Sequence, residues 1–155
     1  MKTRTIRERK KVRGRFTGQL IDAKTGRVVQ EETEHNRITN VGEEMLTYWN
    51  KGDFSTKGYV THFSLSDDTA DPAETDEAEQ GSNTGPRKAV TATIQGGKIT
   101  FETTWGTSEA NYTIRRGYLF SAASGGNLFA TGKFTAPFPK TSDFSYKAIY
   151  EITYE

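Results

Sequence analysis

Phe144-Ser145-Tyr146-Lys147-Ala148-Ile149-Tyr150-Glu151-Ile152-Thr153-Tyr154-Glu155 carries an apolar or aromatic side chain at every even position and mostly polar ones at odd positions, Ile149 excepted. Period two over that length specifies a long β-strand with one buried face. Upstream, residues 127–134 read as another strand. Pro137-Phe138-Pro139-Lys140-Thr141 then reads as a rigid connection between the two, because proline cannot donate to a ladder. A half-buried strand of this length needs other strands to cover it, and the remainder of the chain supplies them.

Residues 13–22 and 27–34 form a predicted hairpin around Ala23-Lys24-Thr25-Gly26, with Phe16, Gly18 and Leu20 on one face. Asn40-Val41-Gly42-Glu43 has the form of a capping box, followed by Met45, Leu46 and Trp49 at helical spacing and by Asn50-Lys51-Gly52 as a stop. One short helix is therefore expected at residues 41–49. Residues 59–65 alternate as a strand. Gly96-Gly97 is the best hairpin signal in the chain, and a two-residue turn there sets Ile94 opposite Ile99 and Ala92 opposite Phe101. Residues 111–120 give a further strand with Tyr112, Ile114, Tyr118 and Phe120 on one face. Seven or eight strands joined mostly by short turns, with one helix, specify an all-β fold: an antiparallel β-sandwich or jelly-roll-like domain.

The 155 residues are one domain's worth of chain. Only 33% are hydrophobic and the mean hydropathy is −0.74, so the core must be thin and rest on aromatic side chains. The expected core is Phe16, Leu20, Met45, Leu46, Trp49, Phe63, Leu65, Val90, Ile94, Ile99, Phe101, Ile114, Tyr118, Phe120, Leu128, Phe134, Tyr146, Ala148, Tyr150 and Ile152. There is no cysteine, which excludes disulfides, thiolate metal sites and a cysteine nucleophile. No apolar run approaches the ~20 residues that a spanning helix needs, and no apolar leader opens the sequence, so a soluble protein made in a cytoplasm, with no membrane partner, is the expectation.

The net charge of +1 conceals two segregated blocks. Residues 1–16 sum to +7 through Lys2, Arg4, Arg7, Arg9, Lys10, Lys11, Arg13 and Arg15, offset by Glu8 alone. Residues 67–79 sum to −7 through Asp67, Asp68, Asp71, Glu74, Asp76, Glu77 and Glu79. Residues 1–12 read as an exposed basic arm, and residues 13–155 as a single domain carrying a long acidic loop at 66–87. That loop is nearly devoid of apolar side chains to offset an ordering cost of ~1–2 kcal/mol per residue. The fifteen charged side chains named in the two blocks are the candidate partner-binding residues. The arm can remain a solvated tail, dock on an acidic protein surface such as the 67–79 segment of another copy, or neutralise nucleic-acid phosphates. Nucleic acid is the less favoured of these, since no aromatic precedes Phe16 to stack on bases.

No catalytic or cofactor constellation emerges. His35 and His62 lack a carboxylate or second histidine at metal-ligand spacing, and Asp67, Asp68 and Asp71 lack the oxygen-ligand spacing of a calcium loop. The expectation is no enzyme, no cofactor and no metal. A carbohydrate-binding sandwich is the other alternative, with Trp105, Tyr112 and Phe138 as the aromatics that would face a sugar.

Asn36-Arg37-Ile38-Thr39-Asn40-Val41-Gly42 leading into a short helix, the acidic loop, Ile114-Arg115-Arg116-Gly117-Tyr118-Leu119-Phe120, Gly125-Gly126-Asn127-Leu128-Phe129-Ala130, Phe134-Thr135-Ala136-Pro137 and Lys140-Thr141 follow one another in an order that resembles small β-rich virion structural proteins of tailed bacteriophages. The resemblance spans residues 36–155. It implies a non-enzymatic, multi-copy, homo-oligomeric component of a virion assembled in the host cytoplasm, bound to other virion proteins of the capsid or tail. Capsid decoration and tail- or fibre-associated modules both fit, and no catalytic residue is carried over.

Overall fold

The computed structural model of the chain describes residues 12–154. Strands β1 (Val12–Asp22), β2 (Val28–His35), β3 (Arg37–Ile38), β4 (His62–Ser66), β5 (Lys88–Ala89), β6 (Thr91–Gln95), β7 (Lys98–Trp105), β8 (Thr113–Phe120), β9 (Leu128–Pro139) and β10 (Phe144–Tyr154) surround one helix, α1 (Asn40–Asn50). They form two five-stranded antiparallel sheets, β2-β1-β10-β7-β6 and β3-β9-β8-β4-β5. This is an all-β sandwich with one short helix. The terminal strand β10 is the central strand of the first sheet, paired along β1 on one side and β7 on the other.

Alternation decides which side chains enter the space between the sheets. Phe16, Leu20, Tyr146, Ala148, Tyr150 and Ile152 are buried there, and their odd-numbered neighbours face out. Phe16 is the central knob. Its ring lies 5.3 Å from Phe63 and 4.6 Å from Tyr150, and it rests on the paired glycines Gly117 and Gly132 of the opposite sheet. A Cβ on Gly132 would come 2.6 Å from that ring, so the absence of a side chain there makes the notch that Phe16 fills. The predicted β6–β7 register is found: Ile94 opposes Ile99 and Ala92 opposes Phe101, with Gly96 at φ 60° in the turn.

Several expectations are corrected. The helix cap is Thr39, one residue before the expected Asn40. Its buried hydroxyl accepts from the Gly42 N–H at 2.9 Å and donates to the Leu128 carbonyl at 2.5 Å, tying the helix start to β9. Residues 137–139 are not a connection but the end of β9. They are tolerated because β3 pairs with β9 only at Thr131 and Ala130, leaving the far edge of β9 with no backbone-paired strand among the described residues; side chains of β2 meet it instead, Gln30 donating to the Pro137 carbonyl at 3.1 Å. Trp105, Leu119, Phe129 and Phe138 are buried core residues beyond those expected. Ile94 is 76% exposed, and Val90 and Ile99 are only half-buried.

Strand β8 departs most from its expected face. Pairing with β9 shifts between Ile114 and Arg116, so Ile114 joins the inter-sheet core while Arg116, Tyr118 and Phe120 point to the outer side. They are nonetheless buried, because the acidic segment 66–87 lies over them as a third layer.

Candidate interaction surfaces

The third layer is held by charge rather than by apolar contact. Arg116, fully buried, donates to Asp68 at 2.7 Å, to Asp76 at 2.8 Å and to the Thr131 hydroxyl at 2.7 Å. Burial opposes its charge, yet the two carboxylates outweigh that and raise its pKa. Arg87 stacks 3.5 Å over the Phe120 ring and binds Glu79 through Nε at 2.7 Å and a second nitrogen at 3.0 Å. Tyr118 Oη bonds Ser66 Oγ at 2.8 Å and accepts from the Gln80 N–H at 3.3 Å. Asn83 donates to Asp67 from both its backbone and its side chain. Lys133 reaches Asp71 at 3.1 Å, an exposed pair worth little by itself.

The predicted partner-binding residues therefore divide. Asp67, Asp68, Asp71, Asp76 and Glu79 are engaged within the chain by Asn83, Arg116, Lys133 and Arg87. Glu74 and Glu77 are exposed and make no ion pair among the described residues. Lys2, Arg4, Arg7, Arg9, Lys10 and Lys11 lie outside the described residues. Arg13 and Arg15 are exposed on the outer side of β1. Arg13 lines a polar cleft of about 440 Å³ that Glu43 and Glu74 also line, so the root of the basic segment sits beside the acidic loop of its own chain. The sequence could not show this internal neutralisation, because Asp68 and Arg116 are 48 residues apart and no local pattern links them.

Of the aromatics expected to face a sugar, Trp105 and Phe138 are fully buried. Trp105 donates to the Pro86 carbonyl at 2.8 Å, and Phe138 packs 5.0 Å from Tyr146. Tyr112 is half-buried, its hydroxyl donating to the Gly85 carbonyl at 2.6 Å, and burial pushes its pKa up. All three serve the fold, and the 66–87 layer supplies backbone acceptors for the polar ends of Trp105 and Tyr112. His62 bonds the neighbouring Thr61 hydroxyl at 2.8 Å. Among the described residues no group of three or more His, Asp or Glu side chains is placed to hold a metal ion.

An apolar surface does exist, at a place that sequence reasoning left unmarked. Between the β6–β7 hairpin and residues 49–61 runs a groove of about 360 Å³ walled by Trp49, Val60, Val90, Ala92, Ile99 and Phe101. Phe54 (54% exposed), Tyr59 (57%) and Ile94 (76%) stand on its rim. Isolated exposed apolar residues are ordinary, but three large ones around one apolar groove are characteristic of an interaction surface. The one signal in the sequence was the uncharged run Thr91-Ala92-Thr93-Ile94-Gln95, which reads equally as half-buried strand and as bare edge.

No helix of the described residues is long and apolar enough to cross a membrane. In comparisons with protein-family models, with curated proteins and with solved structures, nothing matches this chain.

Proposed function

We propose that this protein is a non-enzymatic structural component of a tailed-phage virion, binding neighbouring virion proteins as a capsid decoration or tail- or fibre-associated module. The observation that carries the reading is the apolar groove rimmed by Phe54, Tyr59 and Ile94 on a chain whose composition is otherwise polar. Such a surface gains free energy only when a partner covers it, at ~25 cal/mol per Å² of apolar area removed from water. The order of motifs that resembles phage virion proteins supplies the particle context, and the basic arm supplies a second, salt-sensitive contact to an acidic neighbour.

The test is incorporation. Particles of the phage encoding the chain are purified on a density gradient and the protein is quantified in them, alongside the double variant Phe54→Ser, Tyr59→Ser. Many copies per particle for the natural chain and a loss on the order of tenfold or more for the variant are expected, the equivalent of about 1.4 kcal/mol of contact. Particles that lack the natural chain would overturn the reading.

A further inference from the structure

We propose that β6 is the seam by which two copies of this chain join, edge to edge and antiparallel, about a two-fold axis at Thr93. This rests on the assembly role above and names a second copy as one of the partners.

Backbone parity points to it. The Tyr154 N–H donates to the Gly97 carbonyl at 3.0 Å, and two residues further along the same ladder Ile99 opposes Ile152. Ile99 therefore spends its backbone groups on β10, as do the other odd-numbered residues of β7, while Lys98, Thr100 and Glu102 spend theirs on β6. Their partners Gln95, Thr93 and Thr91 are satisfied inside the sheet. Ala92 and Ile94 direct both N–H and C=O outward from the edge. The same parity holds at Val90, whose N–H crosses to the Thr61 carbonyl at 2.9 Å. Past Val90 the edge has no strand neighbour among the described residues, since β6 ends the order of its sheet.

An exposed edge is what folded proteins usually protect with a charge, a proline or a bulge, and Thr91–Gln95 has none of these. Its side chains suit self-pairing. With Thr93 on the axis, Ala92 of each copy faces Ile94 of the other, setting small against large and letting both residues close their outward backbone hydrogen bonds. Thr93 meets Thr93, Thr91 meets Gln95, and no like charges are brought together. Side chains at 92 and 94 line the groove, so the two grooves become continuous across the seam. Phe54, Tyr59 and Ile94 expose on the order of 400 Å² between them and every residue of β6 is exposed, so there is uncovered surface at the seam to set against the ~800 Å² that each partner of a standard interface buries.

The experiment is the native mass of the full chain by light scattering across a wide concentration range, for the natural protein, Thr93→Lys, Thr93→Glu, and an equimolar mixture of the two variants. Thr93 is exposed on the outer side of the sheet, so each variant should keep the melting temperature that the natural chain shows when dilute enough to be monomeric. The natural chain should show twice the 17.3 kDa chain mass. Each single variant, placing like charges opposite one another on the axis, should associate more weakly by a factor on the order of ten, and the mixture should regain the dimer. A natural chain that stays monomeric throughout, a variant as dimeric as the natural chain, or a mixture of folded variants that fails to pair would overturn the inference. A monomer that is still incorporated into particles would sink this seam alone and leave the assembly role standing.

Discussion

Replacing Arg116 by methionine tests whether the acidic segment is held to the second sheet by charge. In the native chain the guanidinium is fully buried and bridges Asp68, Asp76 and Thr131, with only Nε lacking a hydrogen-bond partner. Removing one partner of a buried ion pair costs ~3–5 kcal/mol, because the abandoned charge remains desolvated. The Asp68 and Asp76 side chains keep 15% and 10% exposure, so water can recover part of that loss and the lower end, ~3 kcal/mol, applies. For a domain of this length the melting temperature should fall by roughly 6–12 °C. The loss should also be local. Hydrogen exchange should accelerate across residues 67–80 before it does in β1 or β10, since the segment has little apolar area of its own to hold it down. Adding Asp68→Asn and Asp76→Asn to Arg116→Met removes the stranded charges and should recover most of the stability. If Arg116→Met alone melts within about a degree of the natural chain, with exchange in 67–80 unchanged, the charge-held third layer is wrong.

Two further outcomes follow from the geometry. Gly132→Ala would set a Cβ 2.6 Å from the Phe16 ring and should cost ~1–3 kcal/mol by overpacking; denaturant midpoints should show the loss, and adding Phe16→Leu should lessen the penalty, whereas a neutral Gly132→Ala would dismiss the notch. Acid should also loosen the third layer. Burial tends to raise the Glu79 pKa, but the Arg87 hydrogen bonds and charge outweigh it and hold it below its ordinary 4.5; at Asp67 the Asn83 hydrogen bonds likewise outweigh burial and hold it below 3.8. Carboxylates with lowered folded pKa values contribute stability that is complete above those ordinary values and is lost as pH falls through and below them. Residues 67–83 should therefore lose hydrogen-exchange protection, relative to the intrinsic rate at each pH, below about pH 4.5 while β10 stays protected, and a segment equally protected at about pH 6 and about pH 3 would contradict it.

The sequence by itself determined the elements whose evidence is local. Alternation from Phe144 onward, the Gly96-Gly97 turn with Ile94 opposite Ile99, and the apolar spacing of Met45, Leu46 and Trp49 each lie within a few residues, and each is found in the structure. Alternation names the two faces of a strand, and it is silent on what covers them. Only the tertiary structure decided that the outer side of β8 is roofed by a segment dozens of residues away, held by Arg116 and Arg87, so that five of the seven predicted acidic contact residues are engaged within the chain. It likewise decided that Ile94, on the correct face of a correctly paired strand, stands at an edge that the opposite sheet does not reach. Burial is a property of neighbours brought close by the fold, and one-dimensional periodicity records only the chain's own side of that contact.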